Sequence, residues 1–300
     1  MIAKGFALAA AANVLGGLSY LAQKLALEGL PPASITFVRN LLAVPLMFAW
    51  MRVSGAERTR WSRRDLGLVI LLGTVGYGAP MWLGVVGVER STSANGSILV
   101  LIEPMMVLVF AALLLREHVT RRQIAGVAIG LLGALAIVLE GASPSDLFAG
   151  EHLTGNLLLA LHGVLWGTFT PLVKPLSSRH DPTEVILRAT LVSLVFVGPL
   201  ALTERGAWHA GPELMPALGW CVALAVGVSF ACAVLWAMAT RFVAASAVAP
   251  FIFLQPLAGV LAGAWVLEER LTPQALVGGA VIALGLAVAL SARGGTRLPA

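Results

Sequence analysis

The sequence predicts an all-α integral membrane protein with ten transmembrane helices arranged as two inverted five-helix repeats. Three observations predict this fold: an apolar composition, ten long apolar stretches, and a second half that repeats the first. The chain has 300 residues, of which 58% are hydrophobic and 12% are charged, and its mean hydropathy is +0.89. Soluble domains carry about 25% charged residues. The composition therefore excludes an ordinary soluble enzyme, a disordered chain and a nucleic-acid-binding module.

Ten apolar stretches are long enough to cross a hydrocarbon core that is ~30 Å thick and needs about 20 residues of helix. Polar or turn-forming residues separate them, such as Pro31-Pro32 and the run from Arg58 to Asp65. Gly and Pro recur within them, as membrane helices tolerate. The predicted spans are residues 3–25, 34–53, 66–88, 91–115, 121–140, 153–175, 183–203, 214–239, 243–267 and 273–291.

The distribution of Lys and Arg predicts the orientation, because cytoplasmic loops are enriched in both. With the N-terminus inside, 14 Lys and Arg residues fall on the cytoplasmic side and 4 on the outer side, leaving Arg39 and Arg188 within spans. Both termini are therefore predicted to be cytoplasmic. The net charge of +5 follows from these loops and does not indicate a nucleic-acid partner.

An internal repeat appears when the chain is shifted by 152 residues. The shift places Pro104 on Pro256 and Glu117-His118-Val119-Thr120 on Glu269-Arg270-Leu271-Thr272, and it aligns the glycines at 126 and 133 with those at 278 and 285. The predicted units are residues 1–142, a periplasmic linker at 143–152, and residues 153–300. Five spans is an odd number, so the second unit is inverted in the membrane, an architecture typical of transporters.

These motifs resemble the drug/metabolite transporter superfamily, and within it the EamA-type ten-helix exporters. The resemblance covers nearly the whole chain and rests on Glu103-Pro104 and Glu117-x-x-Thr120 in the first half, with Gln255-Pro256 and Glu269-x-x-Thr272 in the second. It implies export of small metabolites from the bacterial cytoplasm across the inner membrane. The similarity to the aromatic amino-acid and methyl viologen exporter implies neutral or aromatic amino acids such as Phe, Thr and Met. Gln255 replaces the carboxylate of Glu103, which argues against a symmetric pair of acids.

Glu103 is the carboxylate that lies deep within a predicted span, where a charge costs at least ~2.5–3.5 kcal/mol. It is a candidate substrate-amine or proton site; the alternative is a structural carboxylate bonded to a neighbouring helix. Pro104 is expected to free the carbonyl of Val100 from its helical bond, and Pro256 that of Ile252. Interrupted helices at corresponding positions of two halves indicate a transport site.

Aromatic and polar side chains fall into stripes that are candidates for a cavity lining. Trp166 and Trp236 lie deep in their spans, and Tyr77 and Trp82 flank Pro80 in a glycine-rich span that suits a gate. The alternatives are packing between helices or contact with lipid. His162 is a candidate proton carrier or a packing residue. The predicted cavity residues are Asn13, Tyr20, Tyr77, Met81, Trp82, Asn95, Glu103, His162, Trp166, Phe169, Trp236 and Gln255, with Pro80, Pro104 and Pro256 as helix breaks.

Four other charged residues near or within spans have two interpretations each. Lys24 and Lys174 are expected to extend to the headgroups. Arg39 and Arg188 are expected to pair with helix-end carbonyls or with a loop carboxylate such as Glu184, and the alternative is an anion site. The glycines at 126, 130, 133, 278, 279 and 285 form small-residue faces for close helix approach, within the chain or in a dimer.

The competing functions differ in the residues they require. A secondary transporter, coupled to protons or to the gradient of its substrate, needs a lined cavity between two halves. A membrane-embedded enzyme needs clustered nucleophiles, acids or metal ligands, and no such motif occurs here. No catalytic residue, metal or cofactor is predicted. Cationic organic compounds are the alternative substrates. The expected partners are a small molecule and the bilayer, and the sequence does not distinguish a monomer from a homodimer.

The inverted topology makes a prediction about the loop at residues 143–151. In a variant without Cys221 and Cys232, single cysteines there should react with an impermeant maleimide added to intact cells. An odd number of spans separates this loop from the cytoplasmic N-terminus. Cysteines at 116–120 are the control and should react only after permeabilisation. Protection of the 143–151 loop in intact cells would contradict the inverted topology.

Overall fold

The computed structural model describes residues 1–17, 19–55, 59–91, 93–139, 150, 152–208, 211–258, 261 and 272–291. All regular structure within these ranges is helical. The prediction of an all-α protein is confirmed for this part of the chain. The Glu269-Arg270-Leu271 motif and the loop at 143–149 lie outside the described residues.

Fifteen α-helices are named below, residues 254–258 are helical as well, and short π-helical and 3-10 segments continue some of the helices. The π-helical segments are Leu72–Gly78 and Ala225–Cys232, and the 3-10 segments are Arg205–Ala207 and Ala249–Phe253. The α-helices are α1 (Ile2–Gly16), α2 (Ser19–Ala26), α3 (Pro32–Val53), α4 (Arg63–Leu71), α5 (Ala79–Glu89), α6 (Ser93–Leu99), α7 (Ile102–Leu114), α8 (Arg121–Val138), α9 (Leu153–Trp166), α10 (Phe169–Ser177), α11 (Pro182–Glu204), α12 (Leu214–Leu224), α13 (Ala233–Thr240), α14 (Ala245–Val248) and α15 (Pro273–Leu290).

Eight helical stretches among the described residues are long and apolar enough to cross a membrane, which makes this a multi-pass membrane protein. They correspond to eight of the ten predicted spans. In the other two, the structure describes shorter apolar helices, Ile102–Leu114 and Ala245–Ala258. The first is short because the helix breaks between Leu99 and Ile102. Ten spans and the orientation of the termini remain predictions.

Several helices begin where the sequence supplies an N-terminal cap. Ser62 and Asp65 form a reciprocal capping box at the start of α4, and Thr120 and Gln123 do the same for α8. The side chain of Thr272 accepts a hydrogen bond from the backbone of Ala275 at the start of α15. These bonds satisfy backbone donors that a helix leaves free at its first turn.

Helices α8 and α15 cross in close contact through glycines. A Cβ atom built on Gly133 would lie 2.7 Å from the carbonyl oxygen of Gly278, and one on Gly126 would lie 2.6 Å from that of Gly285. The small-residue faces predicted for the fifth and tenth spans therefore pack against each other within one chain, at a distance that no larger side chain permits.

Charged residues join the two sequence halves at the end of the bundle where α1 begins. The Glu117 carboxylate accepts hydrogen bonds from the backbone N–H groups of Ala245 (3.0 Å) and Ser246 (2.9 Å), and its Oε1 lies 3.3 Å from Lys174 Nζ. Lys174 Nζ also donates to the carbonyl of Val243 at 2.8 Å. Lys174 is buried, so the expectation that it extends to the headgroups is wrong: the helix-capping carboxylate offers it a partner inside the protein.

A second polar cluster links the start of α4 to the loop before α11. Asp65 Oδ1 lies 2.7 Å from Arg179 Nη2, and the rings of Trp61 and His180 stack with centroids 4.0 Å apart. The indole of Trp61 donates to Glu184 at 3.0 Å. At the opposite end of the bundle, the backbone N–H of Ser34 donates to Glu204 at 2.8 Å. Both ends of the bundle thus carry links between the halves.

Substituting Gly133 by Ala should destabilise the fold, because its Cβ would meet backbone rather than a flexible side chain. Overpacking of this kind costs about 1–3 kcal/mol, so the thermal unfolding midpoint of the detergent-solubilised protein should fall. Gly219→Ala is the matched control, since a Cβ there meets nothing within 4 Å. Equal midpoints for the two variants would contradict the close crossing of α8 and α15.

Candidate functional site

A two-lobed cavity lies where the helices are interrupted. The lobes are small, with about 40 and 70 Å³ open to a water-sized molecule. Both lobes share Met81, Glu103, Trp166, Val228, Cys232 and Gln255. The second lobe extends to Ser19 and Gln23 of α2, away from the end where Glu117 binds Lys174.

Glu103 lies on the wall of both lobes, in the first turn of α7. The break between α6 and α7 exposes this turn to the cavity. The carbonyl of Val100, which Pro104 was expected to leave free, accepts a hydrogen bond from the backbone N–H of Glu103 at 2.9 Å. The Glu103 side chain is buried, yet it has no hydrogen-bond or ion-pair partner within the described ranges. Its carboxylate therefore faces the cavity rather than a neighbouring helix.

An aromatic row forms one wall of the first lobe. The Tyr77, Trp166 and Phe169 rings stack on one another, with centroid separations of 5.9 Å for Tyr77–Trp166 and 5.6 Å for Trp166–Phe169. Trp236 lines the same lobe, and its indole donates to Thr170 Oγ1 at 2.9 Å. Such a wall offers apolar area and ring faces to a ligand.

Two amides from opposite halves of the sequence meet in the first lobe. Gln255 Nε2 donates to Asn13 Oδ1 at 2.9 Å, and Asn13 Nδ2 donates to the carbonyl of Ala9 at 2.8 Å. Gln255 follows the 3-10 segment Ala249–Phe253, which interrupts its helix. That interruption and the break before α7 lie at positions related by the sequence shift of 152 residues.

The two π-helical segments meet beside the cavity. The Tyr77 hydroxyl donates to the backbone carbonyl of Ser229 at 3.2 Å, and these residues are themselves 152 positions apart. Arg39 Nε donates to Ser229 Oγ at 3.0 Å, and Ser229 Oγ donates to Asn40 Oδ1 at 3.0 Å. π-helical segments are rare and frequent at functional sites.

His162 lines the second lobe and is held by its Nδ1. Because a carbonyl oxygen only accepts, the 2.7 Å contact between Nδ1 and the carbonyl of Pro80 places the proton on Nδ1. Gly84 leaves room for this ring, since a Cβ there would lie 2.8 Å from Nδ1. His162 also stacks on Trp166, with ring centroids 6.0 Å apart, and so extends the aromatic row.

The structure brings together nine of the twelve predicted cavity residues. Trp82 is half-buried and does not line either lobe, and Asn95 donates instead to Ser91 Oγ at 3.1 Å. The side chain of Tyr20 lies outside the described residues. Pro80 binds His162 through its carbonyl, and Pro104 and Pro256 each directly follow a cavity residue. The nine lining residues are Asn13, Tyr77, Met81, Glu103, His162, Trp166, Phe169, Trp236 and Gln255.

The predicted set omitted Arg39, which lines the second lobe. The sequence does distinguish Arg39 from Arg188. No acidic residue lies three or four positions from Arg39 to pair with it on the same helix, whereas Glu184 lies four positions before Arg188. Arg188 accordingly binds Glu184 at 2.9 Å, as expected, and lies over the Trp61 ring. Among the described residues, no three His, Cys, Asp or Glu side chains are grouped as metal ligands.

Curated relatives of this chain are transporters. The chain is 26% identical over 277 residues to an uncharacterised transporter of Archaeoglobus fulgidus, covering 89% of this chain and 91% of that protein. It is 29% identical over 259 residues to a probable terminal-alkyne amino-acid exporter of Streptantibioticus cattleyicolor, covering 86% and 84%. A riboflavin transporter of Vibrio cholerae is 25% identical over 278 residues, covering 86% and 83%.

A solved crystal structure is similar in fold, with a TM-score of 0.80 over 96% of this chain and 98% of its own, at 18% identity. The sequence profile of the EamA-like transporter family matches twice, at residues 3–139 and 153–291. The family and these relatives are transporters rather than enzymes. The chain therefore belongs to the EamA-like transporter family.

Proposed function

We propose that this protein exports neutral or aromatic amino acids, such as Phe, Thr and Met, across the bacterial inner membrane. The observation that carries the proposal is the unpartnered carboxylate of Glu103 in a cavity walled by stacked aromatic rings. A carboxylate binds an ammonium group, and the aromatic wall accepts an apolar side chain. The probable amino-acid exporter among the relatives supports this substrate class.

The transport mechanism that we propose is alternating access between residues 1–142 and 153–300, joined by the periplasmic linker at 143–152. Three features support two related halves: the helix interruptions 152 residues apart, the paired π-helical segments, and the two matches to one family profile. Ten spans with both termini in the cytoplasm would place the halves in opposite orientations, so that each can adopt the conformation of the other.

The bonds at the end of the bundle where α1 begins support a state closed towards the cytoplasm. In the proposed orientation, Glu117, Lys174 and the cluster around Asp65 lie at the cytoplasmic end. The cavity extends the other way, to Ser19 and Gln23. Loading from the cytoplasm would require the ion pair between Glu117 and Lys174 to separate. The coupling is to protons or to the gradient of the substrate.

Cationic organic compounds are the second candidate substrates. Glu103 and the stacked rings also suit a flat aromatic cation, because a cation binds both a carboxylate and a ring face. The riboflavin transporter among the relatives acts on a flat aromatic compound of another kind. Counterflow of methyl viologen without counterflow of any amino acid would favour this alternative.

Replacing Glu103 by Gln should abolish most counterflow of radiolabelled Phe in proteoliposomes. The substitution removes the charge that binds the substrate ammonium, and a charged hydrogen bond is worth about 1.5–3 kcal/mol, so the loss should be at least about tenfold. Glu28→Gln is the control, since Glu28 is exposed and outside the cavity. Unchanged counterflow in Glu103→Gln would refute the proposed amine site.

Trp166→Ala should weaken binding of Phe more than binding of Thr, because only Phe uses the ring face. An aromatic pair is worth about 0.5–1.5 kcal/mol beyond its buried area. The measurement is the concentration of each amino acid that halves the counterflow signal. The matched control is Trp220→Ala at the outer surface of the bundle, where Trp220 is 36% exposed. An equal effect of Trp166→Ala on Phe and Thr would argue against the aromatic wall as the side-chain site.

A further inference from the structure

Arg39 is a buried cation without a counter-ion. It lies in α3 with 2% of its surface exposed, and no acidic side chain within the described ranges forms an ion pair with it. Its Nε is bound to Ser229, but Nη2 is buried without any hydrogen-bond partner. A buried charge without a partner is costly. An anionic group of a ligand would offset the cost of burying Arg39.

Arg39 is held in a fixed position by a chain of hydrogen bonds. Arg39 donates to Ser229, Ser229 donates to Asn40, and Asn40 Nδ2 donates to Ser193 Oγ at 3.1 Å. These residues come from three separate helical stretches and are all buried. A guanidinium that is already oriented loses little further freedom when it binds an anion.

Arg39 and Glu103 line the same lobe of the cavity and do not bind each other. No ion pair within 4.0 Å joins these two described side chains, so a guanidinium and a carboxyl group face one space. A ligand with an anion at one end and a cation at the other would satisfy both groups and add no net charge. A ligand with only a cation would leave Arg39 unpaired beside a second positive charge.

We propose that Arg39 binds the α-carboxylate of the substrate while Glu103 binds its α-ammonium group. The inference rests on the proposed export of amino acids and restricts the substrates to zwitterions. The planar guanidinium forms charge-assisted hydrogen bonds with a carboxylate. Tyr77, Trp166 and Phe169 line the adjoining lobe together with Glu103, and this row takes the amino-acid side chain.

The first test uses the wild-type protein in proteoliposomes and measures inhibition of radiolabelled Phe counterflow. The competitors are unlabelled Phe, phenylalaninamide, phenethylamine and 3-phenylpropionate. Phe should inhibit at a concentration at least about tenfold lower than the amide and the amine, which lack the carboxylate. Inhibition by phenylalaninamide and phenethylamine at the same concentration as Phe would overturn the role of Arg39.

The second test compares Arg39→Gln and Arg39→Lys with Arg188→Gln. Arg39→Gln should reduce the preference for Phe over phenylalaninamide to about one, and Arg39→Lys should retain part of it. Arg188→Gln should keep the wild-type preference, because Arg188 binds Glu184 outside the cavity. A purely structural Arg39 would weaken both ligands equally and leave the ratio unchanged, which would overturn the proposal.

Two further outcomes separate this proposal from the proposed function. Phe counterflow with no preference over its amide would retain the amino-acid exporter and reject Arg39 as the carboxylate site. Absence of counterflow with every amino acid would reject both. If Arg39→Gln does not fold, thermal stabilisation of the wild-type protein decides: Phe should raise the unfolding midpoint, and equal stabilisation by phenethylamine would overturn the proposal.

Discussion

The constraint on which this structure depends is that hydrocarbon cannot hydrogen-bond a free backbone group. A helix that crosses a membrane is interrupted only where protein or a cavity encloses the break. The breaks before α7 and at Ala249–Phe253, together with the two π-helical segments, all lie around one cavity. Irregular backbone and the cavity therefore occur together. The helices that surround the free backbone groups at the breaks also form the walls of the cavity.

The buried charged side chains are subject to the same constraint, because they too need partners within the protein. Lys174 finds its partner in Glu117, and Arg188 finds Glu184, so the cost of placing these charges in the bundle is offset within the protein. Among the buried charged residues that the structure describes, Arg39 and Glu103 are the exceptions, and both lie on the cavity wall. The paired charges stabilise the bundle, and the unpaired charges are the candidates for binding a ligand.

Much of this fold could be predicted from sequence because span length and apolar composition are local properties. Pro104 and Pro256 indicated the two interrupted helices. Proline has no backbone N–H to donate, and this property can be read directly from the sequence. The π-helical segments could not be predicted, because they depend on contacts such as that between Tyr77 and Ser229 from different halves. Trp82 was predicted from its position near Pro80 and Asn95 from its polarity within a span, and neither signal determines which way a helix face points. Arg39 was left out of the predicted cavity set for the same reason, although an anion site was its alternative interpretation.

The contact between Tyr77 and Ser229 has a consequence for the relation between the two sequence halves. Two positions that correspond in a pair of identical subunits, and that touch, must carry the same side chain and compete for the same space. A tyrosine at both positions would place two rings where the structure holds one ring and one carbonyl. A single chain allows the two positions to differ, so that one half supplies the ring and the other half supplies the carbonyl acceptor. The asymmetric contact beside the cavity therefore depends on two halves that differ in sequence, and two identical copies of one half would carry the same side chain at both positions.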